Sequence, residues 1–328
     1  MNPRQRVGSI FPAHDRTAWI TAQRPPRPTV LDPFKPHGFF LEEERAASGQ
    51  VASSATILLT NKECPWRCLM CDLWKNATAQ TVPPGAIVKQ IDYALEQLGG
   101  NAKQIKLYNN GSFFDAAAIP PADYPAIART VAFAKHVVVE SHPRLVGEKA
   151  MRFRDLLSGS LEVAMGLETV HPQVLPRLNK KFELAHFLQA AEFLRDNGIS
   201  MRAFVLVKPP FLNEKEGWEW AVKSTVFALS CGATVVSLIP TRPGNGALER
   251  LMEAGEFSPP RLATLEKALE LALEVRGDGR IFADTWDLEQ FSNCPACFEK
   301  RRQRIHAMNL SQQIPPAIDC PACALRTG

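Results

Sequence analysis

The sequence predicts an α/β protein: an incomplete TIM-like barrel, a partial (βα)6, carrying a small C-terminal Cys-rich metal module. Three observations lead there. Six short β-branched apolar runs alternate with helical patterns, the order expected of βα units on a parallel sheet. Polar residues gather just past the ends of those runs, where a parallel barrel binds its ligands. After residue 275 the pattern changes to a basic tail bearing two Cys-x2-Cys pairs.

The six runs are Ala55–Thr60 (ATILLT), Gln104–Tyr108 (QIKLY), His136–Glu140 (HVVVE), Leu161–Gly166 (LEVAMG), Arg202–Val207 (RAFVLV) and Thr234–Ile239 (TVVSLI). Between the first two, Ile87, Ile91, Ala94, Leu95 and Leu98 fall on one face of a helix. Further helices are expected over Leu184–Asn197, Gly217–Cys231 and Arg261–Val275. The first fifty residues are rich in Pro and Arg and lack sustained periodicity. They read as an irregular extension, 1–50, wrapping a barrel of residues 51–275, with the metal module at 276–328.

Composition excludes several classes. With 328 residues and 45% hydrophobic content the chain can bury a large core, so it is not a disordered chain. No apolar segment follows a basic start and no eighteen uncharged apolar residues run together, which reads as a soluble, cytoplasmic protein. The net charge of +4 permits an anionic partner without demanding one. Eight cysteines in a chain this long, without a secretory signal, argue for metal ligation rather than disulfides. Seven are clustered: Cys64, Cys68 and Cys71; Cys294 with Cys297; Cys320 with Cys323. Cys231 stands alone and reads as a small core residue.

The chemistry is carried by Cys64-Pro-Trp-Arg-Cys68-Leu-Met-Cys71, directly after the first strand. Three thiolates on one loop at this spacing can each bind a different iron of a [4Fe-4S] cubane and leave the fourth iron open. A zinc loop is the competing reading, but zinc usually completes its tetrahedron with a fourth ligand nearby. This Cys-x3-Cys-x2-Cys loop after the first strand of a βα protein resembles the signature of the radical S-adenosylmethionine (SAM) superfamily. The resemblance implies a partial barrel of the radical SAM type. It also implies that SAM chelates the open iron and is cleaved reductively to a 5′-deoxyadenosyl radical.

The resemblance extends along the strand ends. Asn110, Gly111 and Ser112 match the turn that holds the SAM amino group, while Glu140, Ser141 and Glu168 match positions near its ribose and carboxylate. Met70 stands where many members carry an aromatic beside the adenine, and Met70 or Trp74 takes that place here. As structural residues, Glu140 and Glu168 would instead be carboxylates neutralised by Arg144, Arg202 or Lys208. Lys208 and His171 are further candidates to meet the substrate.

The wording around the motif, Cys-Asp-Leu-Trp-Lys-Asn, then Tyr-Asn-Asn-Gly-Ser-Phe-Phe-Asp, Glu-Ser-His-Pro and Gly-Leu-Glu-Thr, resembles the branch sharing a core with MiaB and the elongator catalytic subunit. Within it the sequence is most similar to the archaeosine synthase radical SAM subunit and its uncharacterised relatives. That likeness implies modification of a tRNA base, together with a partner modification enzyme and an external electron donor. Radical modification of a small metabolite or peptide is the second enzymatic reading. A non-catalytic iron-sulfur or zinc RNA-binding protein is the reading from another class.

Cys294, Cys297, Cys320 and Cys323 form two Cys-Pro-Ala-Cys knuckles. Four thiolates in this arrangement suit a structural zinc, with an auxiliary [4Fe-4S] cluster as the alternative. Arg301, Arg302, Arg304 and His306 between the pairs are expected to form a basic face that could meet phosphate.

Overall fold

The computed structural model describes residues 9–27, 31–99 and 102–324. In chain order the elements are α1 (Arg16–Ala22), β1 (Gly38–Arg45), β2 (Val51–Leu59), α2 (Ala86–Leu98), β3 (Gln104–Asn109), α3 (Tyr124–Thr130), β4 (His136–Ser141), α4 (Glu148–Leu156), β5 (Ser160–Glu168), α5 (Val174–Arg177), α6 (Leu184–Asp196), β6 (Ser200–Val207), α7 (Glu214–Ser230), β7 (Val235–Pro240), α8 (Ala247–Glu253), α9 (Leu262–Glu274), β8 (Arg280–Ala283), α10 (Pro295–Ser311) and α11 (Pro321–Ala324). The strands form one curled sheet in sequential order from β1 to β8. β2 to β8 run parallel, and β1 pairs antiparallel with β2.

The six expected runs are β2 to β7, so the parallel barrel core was correctly anticipated. β1 and β8 lie outside it. β1 is the segment GFFLEEER, whose acidic character masks its alternation, and β8 is only four residues long. α1 and β1 both fall within the stretch expected to be irregular, and β8 within the stretch expected to be tail.

Because helices cover the outer face, the strands are buried on both sides and their outward residues are uniformly apolar. Ile57, Leu59, Ile105, Leu107, Val137, Val139, Val163 and Met165 are fully buried. Burial of each such side chain contributes about 1.5–3 kcal/mol. The anticipated stripe of α2 joins them through Ile87, Ile91 and Ala94, and Cys231 is a buried member of the same core.

The inner face at the base of the barrel is charged. Arg202 on β6 binds both oxygens of Glu44 on β1, at 2.6 and 3.0 Å, and Glu162 on β5 at 2.6 Å. Lys106 on β3 reaches Glu42 at 2.8 Å and Glu44 at 2.5 Å. Burial alone would raise the Glu162 carboxyl, but the Arg202 charge holds it down to about 2. These pairs tie β1 to the far side of the barrel and form a floor beneath the cavity.

A second apolar core sits over the barrel mouth. Phe11, Ile20 and Leu69 pack with Leu248, Leu251 and Phe257, and Trp19 and Met70 lie against them. The N-terminal segment therefore wraps the cysteine loop itself, since Leu69 and Met70 lie between Cys68 and Cys71.

Candidate active site

The loop after β2 is fastened at nearly every turn. The Asn110 side-chain amide donates to the carbonyls of Leu59 (3.2 Å) and Asn76 (2.6 Å), and its backbone N–H donates to Asn61 Oδ1. Asn179 donates to the Arg67 carbonyl at 2.7 Å, and Asn245 to that of Leu69 at 2.7 Å. Glu63, beside Cys64, is held by Arg24 and Arg27 from the N-terminal segment, each at 2.6 Å, and by Arg67 at 3.3 Å. Gly111 presses on Cys64: a Cβ there would lie 2.9 Å from the Cys64 Cβ, so only glycine permits the approach.

Cys64, Cys68 and Cys71 face a cavity of about 650 Å³ that fills the upper barrel. Burial pushes the thiols up, Cys64 to about 11 and Cys71 to about 12, and Cys68 also well above its ordinary range. They become thiolates here only if a metal centre supplies the positive charge.

Around them the strand ends supply polar groups. Glu140 is half-buried at the cavity wall and accepts from the Asn109 backbone N–H, and desolvation there raises its carboxyl to about 8. Glu168 pairs with the buried Lys180, which also donates to the Gly166 carbonyl at 2.7 Å. Gly166 leaves room for that pair, because a Cβ there would sit 2.0 Å from Lys180 Nζ. The His142 ring stacks on Trp66, with centroids 3.8 Å apart and planes 8° apart. His142 Nδ1 accepts from the Arg144 N–H, so Nε2 carries the proton and donates to the Lys180 carbonyl. Burial, then the Lys180 charge, lowers this histidine to about 3, and it stays neutral.

These features agree with what comparison with known proteins finds. The Radical SAM superfamily model matches residues 58–221, half of the chain. The chain belongs to the radical SAM superfamily. An uncharacterised protein of Methanocaldococcus jannaschii is 23% identical over 306 residues, covering 87% of this chain and 84% of that protein. An archaeosine synthase subunit beta of Thermococcus kodakarensis is 29% identical over 225 residues, covering 66% and 69%. Among solved structures, methylornithine synthase superposes with a TM-score of 0.54 at 12% identity, covering 80% of this chain and 73% of that one. The N-terminally truncated Elp3 of Methanocaldococcus infernus gives 0.50 at 14%, covering 78% and 63%. These two likenesses are of fold. As a radical SAM enzyme, the protein is implied to use SAM and a [4Fe-4S] cluster, and its cavity fits them. Three thiols open into it, Asn110 Oδ1 is buried without a partner, and both polar atoms of the Asn109 side chain are likewise unpaired among the described residues.

The structure brings Met70, Asn110, Gly111, Glu140, Ser141 and Glu168 to the radical SAM cavity wall. Ser112 lies behind it, bonded to Ser141 at 2.9 Å. Of the three cations expected near Glu140 and Glu168, none is there. Arg202 belongs to the floor, Lys208 binds Glu214 at 2.6 Å, and Arg144 is exposed. The cation is Lys180, which sequence reasoning missed. Its signal was weak: Asn179 and Lys181 on either side adopt left-handed backbone and turn it inward. His171 and Lys208 do not line the cavity; the His171 ring accepts from the backbone N–H of Gln173 and Val174 ahead of α5.

The C-terminal quartet is the other candidate metal centre. Cys294, Cys297, Cys320 and Cys323 place their sulfurs within 4.8 Å of one another, the one such group among the described residues. The expected basic face beside it is not formed. Arg304 is buried against Glu266 and Glu270, Arg301 pairs with Glu266, and Arg302 with Glu299 on its own helix. Two of the four basic residues thus turn inward to fasten α10 to α9. No described helix is long and apolar enough to cross a membrane.

Proposed function

We propose that this protein is the radical-forming subunit of a tRNA base-modifying enzyme of the archaeosine synthase kind. The observation that carries this reading is the alignment with archaeosine synthase subunit beta over about two thirds of both chains, beside a radical SAM match whose residues 58–221 include the cysteine loop and the strand ends Asn110, Glu140 and Glu168. When bound, the cluster and SAM supply reductive cleavage to a 5′-deoxyadenosyl radical. The protein's part is to hold and orient. Cys64, Cys68 and Cys71 bind three irons. Asn110 Oδ1 and the Glu140 carboxyl would offer acceptors to the N–H groups of the SAM amino group, with Gly111 allowing the close approach and Ser112 steadying Ser141. Glu168 with Lys180 would take the ribose and carboxylate, and Met70 would pack on the adenine. The second apolar core excludes water and oxygen from the loop.

We infer further that the quartet holds zinc. The Cys294–Cys320 and Cys297–Cys323 sulfurs are 3.9 and 3.6 Å apart. A tetrahedral zinc with bonds of about 2.3 Å has edges of about 3.8 Å, and thiolates on the four corners of a cubane stand wider.

The test uses tRNA from a strain of the source organism lacking this gene. Its nucleosides are compared with wild type, and the purified protein is then supplied with SAM, reductant and that tRNA. The proposal expects one altered nucleoside in the deletion strain and its restoration in vitro, with 5′-deoxyadenosine formed alongside. An unchanged nucleoside profile with brisk 5′-deoxyadenosine formation would move the substrate to a small metabolite or peptide. No 5′-deoxyadenosine from a cluster-replete preparation would overturn the catalytic reading.

A further inference from the structure

A barrel that stops at β8 leaves that strand's outer edge open, and unpaired edge N–H and C=O groups normally attract other strands. Here helix α10 satisfies them. Arg280 of β8 and Asp284 just after it donate their N–H groups to Thr234 and Leu238 on the β7 side, so those of Ile281 and Ala283 point to the free edge. Gln312 Oε1 accepts from the Ile281 N–H at 2.7 Å while its Nε2 donates to the Ile281 carbonyl at 2.7 Å. Asn309 repeats the pattern on Ala283, accepting and donating at 2.8 Å. Two side-chain carboxamides thus imitate two peptide groups of an absent strand. On the other side of the seam, Arg45 of β1 donates to the Leu310 carbonyl, and Arg280 of β8 donates to that of Arg45. α10 therefore closes the gap between β1 and β8, and its His306 and Asn309 line the cavity.

The same helix begins at the quartet, with Cys294 at its N-cap and Cys297 in its first turn. The chain turns back at Gln312, and Arg304 gathers the Pro315 and Pro316 carbonyls at 2.6 and 2.7 Å, which returns Cys320 and Cys323 to the first pair. Arg301 donates to Cys297 Sγ at 3.4 Å. A metal there fastens both ends of this hairpin, and such binding contributes directly to folding.

We propose that the quartet is a remote positioning element of the cavity: its metal holds α10 against the open edge of β8, so that Asn309 and Gln312 act as positioning residues for the cavity wall from about 18 Å along the helix. The metal does not touch substrate. It fixes the seam through which the cavity would otherwise open sideways.

Hydrogen–deuterium exchange on the cluster-replete protein tests this without knowing the substrate. Replacing Asn309 and Gln312 together with Ala should speed exchange of the Ile281 and Ala283 amides about tenfold, while the Phe282 amide keeps its protection. Asn309→Asp combined with Gln312→Ala keeps the acceptor for Ala283 and should restore protection there alone, leaving Ile281 fast. The decisive arm is Cys320→Ser with Cys323→Ser, leaving both carboxamides intact. The same two amides should lose protection by a comparable factor, and α10 should exchange faster throughout. Unchanged protection in that variant would overturn the metal's role, and unchanged protection in the Ala pair would overturn the latch itself. One functional arm rests on the tRNA reading: with tRNA from the deletion strain, both variants should form more 5′-deoxyadenosine per modified nucleoside than wild type. If wild type modifies no nucleoside, the tRNA reading fails while the exchange experiment still decides the latch.

Discussion

The two cysteine sites are built on opposite plans. In the loop after β2, three sulfurs face a cavity, and the grips on the loop come from amides and arginines outside the sulfur set. In the tail, four sulfurs converge on one point, and the surrounding residues serve to bring them there. An open ligand set leaves a coordination position for a small molecule; a closed one leaves none. The difference separates a site that reacts from a site that holds, although the residue type is the same.

The largest effect should come from removing one plan and leaving the other. Changing Cys64, Cys68 and Cys71 together to Ala is expected to abolish visible absorption and 5′-deoxyadenosine formation. About one zinc per chain should remain, because a four-thiolate site binds a single ion with a filled d shell. Metal analysis and the absorption spectrum decide it. Four irons retained in the variant would make the tail an auxiliary cluster and erase the contrast.

Arg304→Met attacks the closed site without altering a sulfur. It removes the cation that Glu266 and Glu270 share, leaving them to Arg301 and Lys267, and frees the Pro315–Pro316 segment. Metal affinity should fall by about 10-fold, because metal binding must then also order the Pro315–Pro316 return that Arg304 holds, and Arg304→Lys should rescue it poorly, since an ammonium lacks the fork. A competition titration with a zinc indicator reads this. Wild-type affinity would show that the sulfurs converge without help.

How legible these sites were depended on whether spacing or three-dimensional return of the chain built them. The six parallel strands and the loop cysteines were readable because β-branched runs and Cys-x3-Cys-x2-Cys are local patterns. The quartet was readable as two pairs. β1 was not, because three consecutive acids hide a strand whose Glu44 points inward to a partner, Arg202, 158 positions away. Lys180 was missed for the same reason: its partner Glu168 and the thiols near it come from other loops. The misplaced basic face shows the converse. Arg301 and Arg304 read as a charge run, but the carboxylates that absorb them lie on α9, beyond the reach of any local pattern.

On the open site, Gly111→Ala should show how little slack the loop has. The added Cβ would meet the Cys64 Cβ at 2.9 Å, and the neighbour is a ligand that cannot yield without moving its sulfur. Overpacking of this kind costs about 1–3 kcal/mol. The expected result is iron content and SAM cleavage lowered together, with zinc unchanged. Full iron with normal cleavage would mean that the loop relaxes freely.

The remaining effect is electrostatic, is read only in stability against pH, and belongs to Glu140. Burial raises its carboxyl from an ordinary 4.5 to about 8, against the opposing pull of the Asn109 N–H and the Lys180 charge. Between those two values the folded protein keeps a proton that the unfolded chain has lost. The stability associated with the neutral acid is therefore fully present below about 4.5, and it is lost as pH rises toward 8. The slope is at most about 1.4 kcal/mol per pH unit. Glu140→Gln keeps an acceptor for the Asn109 N–H and removes the charge. The variant and the wild type, both without cluster, should melt together at pH 5, and the variant should melt progressively higher toward pH 8. The depressed histidines His37 and His142 also make stability depend on pH, but equally in both proteins, so they cancel in the difference. The loop thiols, raised to about 11 and above, remain protonated in the folded protein across this range. A difference in melting temperature that stays flat from pH 5 to 8 would mean that Glu140 ionises normally in the cavity, and that the open site holds its charge with water rather than awaiting a cationic ligand.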